Sequence, residues 1–122
     1  MNPEQGPAGD SIALYRIISA INLIMSKSEK IPRTEEIENR YKVILRLTQG
    51  KLDLDNEYKN DEKIHQIKLL MGYTERVLKY ALFNLTNLEQ ETIFSMSKAE
   101  ILAIIDICNI DTSRFNFIEP TQ

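Results

Sequence analysis

Carboxylates at alternate positions can converge on a hard cation, and the densest run of them in this 122-residue chain is Asp53-Leu54-Asp55-Asn56-Glu57-Tyr58-Lys59-Asn60-Asp61-Glu62. A calcium loop begun at Asp53 needs glycine at its sixth place for a sharp turn and a bidentate glutamate at its twelfth. The chain offers Tyr58 and Ile64 there, so the run reads as a solvated acidic loop. His65 is the single histidine and Cys108 the single cysteine. One imidazole cannot build a two-histidine metal site, and one thiol cannot close an internal disulfide. His65 falls beside the apolar stripe of its helix and reads as a surface or half-buried side chain. Cys108 lies on an apolar helix, where a thiol behaves as a small hydrophobe. No catalytic or metal-binding constellation emerges, no cofactor is expected, and the chain does not read as an enzyme.

Phosphate chemistry finds no better support. Gly6, Gly9, Gly50 and Gly72 form no dinucleotide fingerprint, and Gly50-Lys51 lacks the spacing of a P-loop. Cations are a different matter: residues 11 to 49 hold seven basic and four acidic side chains, a net of +3, while residues 50 to 64 hold three basic and five acidic, a net of −2. Arg33, Arg40, Lys42 and Arg46 therefore make a candidate basic patch that can meet phosphates, and a nucleic-acid-associated helical domain is the alternative function. Against it, Glu36 precedes Arg40 and Glu38 precedes Lys42 by four residues, the spacing of helix-surface ion pairs.

Composition bounds the elements that must position these groups. A chain 43% hydrophobic and 27% charged is that of a folded globular domain. Only four glycines and four prolines interrupt it, which leaves long stretches free for helix. The apolar run Ile12 to Met25 contains Arg16 and is shorter than the ~20 residues needed to cross a bilayer. Met1 to Asp10 carries Glu4 and Asp10 and no basic residue, which argues against a signal peptide. The expectation is an intracellular protein without membrane contact, and the acceptor sequence Asn84-Leu85-Thr86 reads as chance because a glycan there would block helix packing.

Residues 1–9 read as a flexible lead, residues 10–110 as one helical domain and residues 111–122 as a tail. Leu14, Ile17, Ile18, Ile21, Ile24 and Met25 give a wide apolar face to a first helix over 11–27, and Arg16, Ser19, Asn22 and Ser26 a narrow polar one. Ile31-Pro32 stops it, because a residue before proline is pushed out of the α region. A second helix over 34–48 has Glu35 and Glu36 at its start and Arg46 near its end, the favourable order for the helix dipole, and Gly50 closes it as a left-handed cap. Ile64, Ile67, Met71, Thr74, Leu78, Ala81, Leu85 and Leu88 then recur at spacings of three and four, predicting one long helix over 61–87. A second row at Leu69, Tyr73, Tyr80 and Phe83 asks for neighbours on further sides. Ser97 and Glu100 have the capping-box spacing and start a last helix over 98–109.

The expected fold is all-α, a compact bundle of about four main helices packed around the long third. The first and last helices are apolar nearly all round, more than a four-helix bundle need bury. That surplus points to a noncatalytic protein–protein interaction module, an adaptor, complex subunit or inhibitor, whose partner is another protein or a second copy. Ile104, Ile107, Phe115, Phe117 and Ile118 are the candidate partner-binding residues, and the phenylalanine-rich tail either docks on a partner or folds back over its own bundle.

Overall fold

The structure, a computed structural model, describes the backbone of residues 5–119 and the side chains of residues 11–119. Among the described residues it is all-helical: α1 Gln5–Ile24, α2 Thr34–Thr48, α3 Glu62–Leu70, α4 Glu75–Leu85, α5 Gln90–Phe94 and α6 Lys98–Ile107, followed by a single 3-10 turn, Thr112–Arg114. None of the described helices is long and apolar enough to cross a membrane. The expected flexible lead falls partly on residues 1–4, outside the described residues, and from Gln5 the backbone is already helical, ahead of the expected start near Ser11.

Local rules set several ends as the sequence implies. At the end of α2 the amide of Lys51 donates to Arg46 O at 2.9 Å and that of Gly50 to Leu47 O at 3.1 Å. Gly50 lies at φ 69°, which is the Schellman arrangement. The end of α6 repeats it with asparagine: Ile110 N donates to Ile105 O at 3.0 Å, and Asn109 takes φ 53°. Ser97 and Glu100 form the complete capping box that starts α6.

Two expectations are corrected. The helix expected over 61–87 breaks at residues 71–74 into α3 and α4, and a separate α5 follows. Thr74, the one polar member of the apolar stripe, takes an extended backbone and accepts a hydrogen bond from Val77 N through its hydroxyl, capping α4. The carbonyl of Met71 that the break frees accepts from Lys98 Nζ at 2.7 Å. Gly72 is not there for a positive φ, and a Cβ on it would meet Leu69 O at 3.4 Å, ordinary contact. The cap and the lysine, rather than the glycine, hold the break.

The bundle is also organised around its last helix instead of its third. α6 packs against α1, α2, α3 and α4, and every residue from Ala99 to Asp106 is buried. An all-round apolar helix at the centre has no surplus surface to offer. Ile17, Ile21, Ile37, Ile44, Ile64, Ile67, Leu78, Leu82 and Ile93 close over it from the surrounding helices.

Candidate functional site

Two acids ride on the buried central helix, and each meets an arginine. Asp106, its side chain wholly enclosed, accepts from Arg40 Nε at 2.5 Å and Nη2 at 3.0 Å. The same guanidinium donates to Asp61 at 2.9 and 3.2 Å. Arg40 thus ties α2 to the start of α3 and to α6. Its bond to Asp106 raises its pKa further above its already high ordinary value, burial opposing. Asp61 is held below the usual aspartate range, first by the Arg40 hydrogen bond, while it also caps α3 by accepting from Ile64 N at 3.1 Å. Glu100 uses one carboxylate oxygen in its capping box and faces Arg16 Nη1 at 3.6 Å with the other. A cleft of about 210 Å³ opens beside Arg40 and Asp106, yet their charged groups are spent on one another.

The remaining predicted cations are matched as well. Arg33 donates to Glu36 at 3.2 Å, Lys42 Nζ lies 3.6 Å from Glu38, and Arg46 donates to both oxygens of Glu57 at 3.1 and 3.2 Å. The expected basic patch is a set of neutralised pairs, with Arg40 drawn inward. Exposed pairs of this kind add little to stability. The acidic loop is consumed in a similar way: Asp53 accepts from Asp55 N at 3.1 Å and Asn56 Nδ2 at 2.6 Å, and Tyr58 makes the turn at φ 57° in place of a glycine. His65 is exposed, its Nε2 3.0 Å from Lys59 O. Cys108 is half-buried, and burial pushes its thiol up to about 12. Among the described residues no group of three His, Cys, Asp or Glu side chains is placed to hold a metal ion.

The predicted partner-binding residues separate. Ile104 is fully buried and Phe115 is 8% exposed, both in the core. This corrects their assignment as surface anchors, since α6 is enclosed on every side. Ile107 and Phe117 are half-buried against that core. Phe117 stacks on Tyr73 with ring centroids 4.1 Å apart, and Glu119 accepts from the Thr74 hydroxyl at 3.1 Å. The tail folds back over its own bundle and closes the α3–α4 break. Only Ile118 stays outside, at 70% exposed. An open groove of about 500 Å³ runs between α3 and this segment, with Leu70 in its floor and Leu69 and Tyr73 at its rim.

Besides Leu69, at 72% exposed, and Ile118 beside that groove, exposed apolar side chains line the outer face of α1. Ile12, Tyr15 and Leu23 are 53%, 67% and 53% exposed, and Ser19, Asn22 and Ser26 complete the exposed side. The inward face of α1 was legible from Ile17, Ile18 and Ile21. The outward face is legible in part from Ser19, Asn22 and Ser26, which are exposed; that Ile12, Tyr15 and Leu23 share it is not, because apolar side chains by themselves read as core. Arg16, the single charged residue between Ser11 and Ser26, turns aside to Ser95 O at 2.7 Å and to Glu100. The exposed stripe is therefore uncharged. No known protein family, curated protein or solved structure matches this chain.

Proposed function

We propose that this protein is a noncatalytic protein–protein interaction module that docks through the outer face of α1. The observation that carries this reading is the uncharged stripe of Ile12, Tyr15 and Leu23, each more than half exposed on a well-packed bundle. Large apolar side chains aligned on one helix face lose contact with water only against another surface, and an amphipathic helix laid against a groove or a second helix is the usual way to cover them. The charged groups support the same reading indirectly. Arg33, Arg40, Lys42 and Arg46 are each paired with a carboxylate, while the stripe of Ile12, Tyr15 and Leu23 stays exposed.

The test is site-specific photo-cross-linking from a benzophenone amino acid placed at Tyr15, with Lys42 on α2 as the control position. Tyr15 should give one or a few discrete protein adducts that Lys42 does not, and Leu23→Glu should remove them while leaving the helical circular dichroism intact. The same diffuse products from both positions would defeat the proposal.

A further inference from the structure

We infer that the partner surface for α1 is α1 of a second copy of this chain, paired antiparallel about a two-fold axis at Ser19. This rests on the interaction reading above and makes it specific. At about 100° per residue, Ile12, Tyr15, Ser19, Leu23 and Ser26 all lie within about 40° of a line through Ser19. Their positions are also symmetric about it. Reversing the helix around Ser19 brings Tyr15 of one copy opposite Leu23 of the other, and Ile12 opposite Ser26, so a bulky residue meets a bulky one near the axis and a small one further out. Ser19 at the crossing is small enough to let the helices approach closely.

Charge favours a copy of the same face. An isologous contact sets each surface against itself, so a charged stripe would repel its mate, and this one carries no charge. Arg16, whose position would face Asn22, is held instead by Ser95 and Glu100. Antiparallel pairing also sets each helix dipole against its opposite.

Area sets the class of interface. From their exposures, Ile12, Tyr15 and Leu23 offer on the order of 350 Å² per copy, taking roughly 200 Å² for a fully exposed large side chain. With the flanking serines and asparagine the pair would bury on the order of 1,000 Å² in all, below the ~1,600 Å² of a standard stable interface. The contact is therefore of the weak, reversible class.

Sedimentation equilibrium of the full chain from micromolar to millimolar concentration should show a monomer–dimer equilibrium, and Tyr15→Glu with Leu23→Glu should shift it at least tenfold toward monomer with an unchanged circular dichroism spectrum. In a Cys108→Ala background, Ser19→Cys should give a disulfide-linked dimer on mild oxidation. Ile12→Cys should not, since the two copies of residue 12 would sit about 21 Å apart along the axis, at ~1.5 Å per residue. A monomer at every concentration, a dimer indifferent to Tyr15→Glu and Leu23→Glu, or equal cross-linking at 12 and 19 would each overturn the inference. A monomer whose Tyr15 photoprobe captures a different protein overturns the second copy and keeps the interaction module; a monomer that captures nothing removes both.

Discussion

Replacing Asp106 with alanine probes the Arg40 contact, which ties α2, α3 and α6 together. The substitution removes the two Asp106 oxygens that accept from Arg40, at 2.5 and 3.0 Å, from a side chain that is fully enclosed, and it leaves a guanidinium only 22% exposed. Breaking a buried pair by deleting one member costs about 3–5 kcal/mol, because the other charge stays behind without its partner. Arg40 keeps Asp61 at 2.9 and 3.2 Å and retains some contact with water, so the cost falls at the lower end, about 3 kcal/mol. For a domain of this size that corresponds to a Tm lower by roughly 10 °C. Urea and thermal unfolding followed by circular dichroism measure both quantities. A double-mutant cycle with Arg40→Ala should return a coupling of about 2 kcal/mol, against about 0.4 kcal/mol for the exposed pair Glu38 and Lys42. Pairing Arg40→Met with Asp106→Leu should recover most of the loss, since apolar replacement of both members of a buried pair is often neutral. A cost for Asp106→Ala under about 1 kcal/mol, or a coupling no larger than that of the surface pair, would refute the reasoning.

The break between α3 and α4 predicts opposite outcomes at two neighbouring positions: Thr74→Ala should lose about 1 kcal/mol with its cap, while Gly72→Ala should be neutral or slightly stabilising through the unfolded chain, both read from urea midpoints. Asp61 links stability to acid. Its folded pKa lies below the ordinary aspartate value, so its contribution is present at neutral pH and fades as pH falls below about 5 toward that depressed pKa. Asp61→Asn keeps a competent cap and should flatten part of the decline in urea midpoint between about pH 5 and 3; Glu57 and Asp111, also held below the carboxylate range, leave the remainder. Cys108, its thiol raised to about 12 by burial, should resist iodoacetamide in the native protein at pH 8 and react promptly once urea unfolds the chain, because the thiolate is the reactive form.

Sequence alone determined whatever depends on a few consecutive residues. The full extent of the helix over 34–48, the left-handed Gly50 and the Ser97–Glu100 capping box follow from local sterics and hydrogen bonding, which act within a turn; the end of α1 does not, since it stops at Ile24, short of the expected end at 27 and ahead of Ile31-Pro32. The all-α class followed from helical periodicity unbroken by glycine and proline.

Tertiary structure decided which helix is central and which surface remains exposed. The first and last helices carry the same signature, apolar on almost every side, and the sequence gives no means of ranking them. Packing against four neighbours buries the last one, Ile104 included. The first is covered on its inner face and keeps Ile12, Tyr15 and Leu23 in water. The break at residues 71–74 has the same character. Its helical spacing runs on with Thr74 as the single polar member, and the groups that close it, Lys98, Phe117 and Glu119, come from more than twenty residues away. Burial and long-range hydrogen bonds are properties of the assembled chain, so a periodic pattern shows that a face is apolar and leaves open what will cover it.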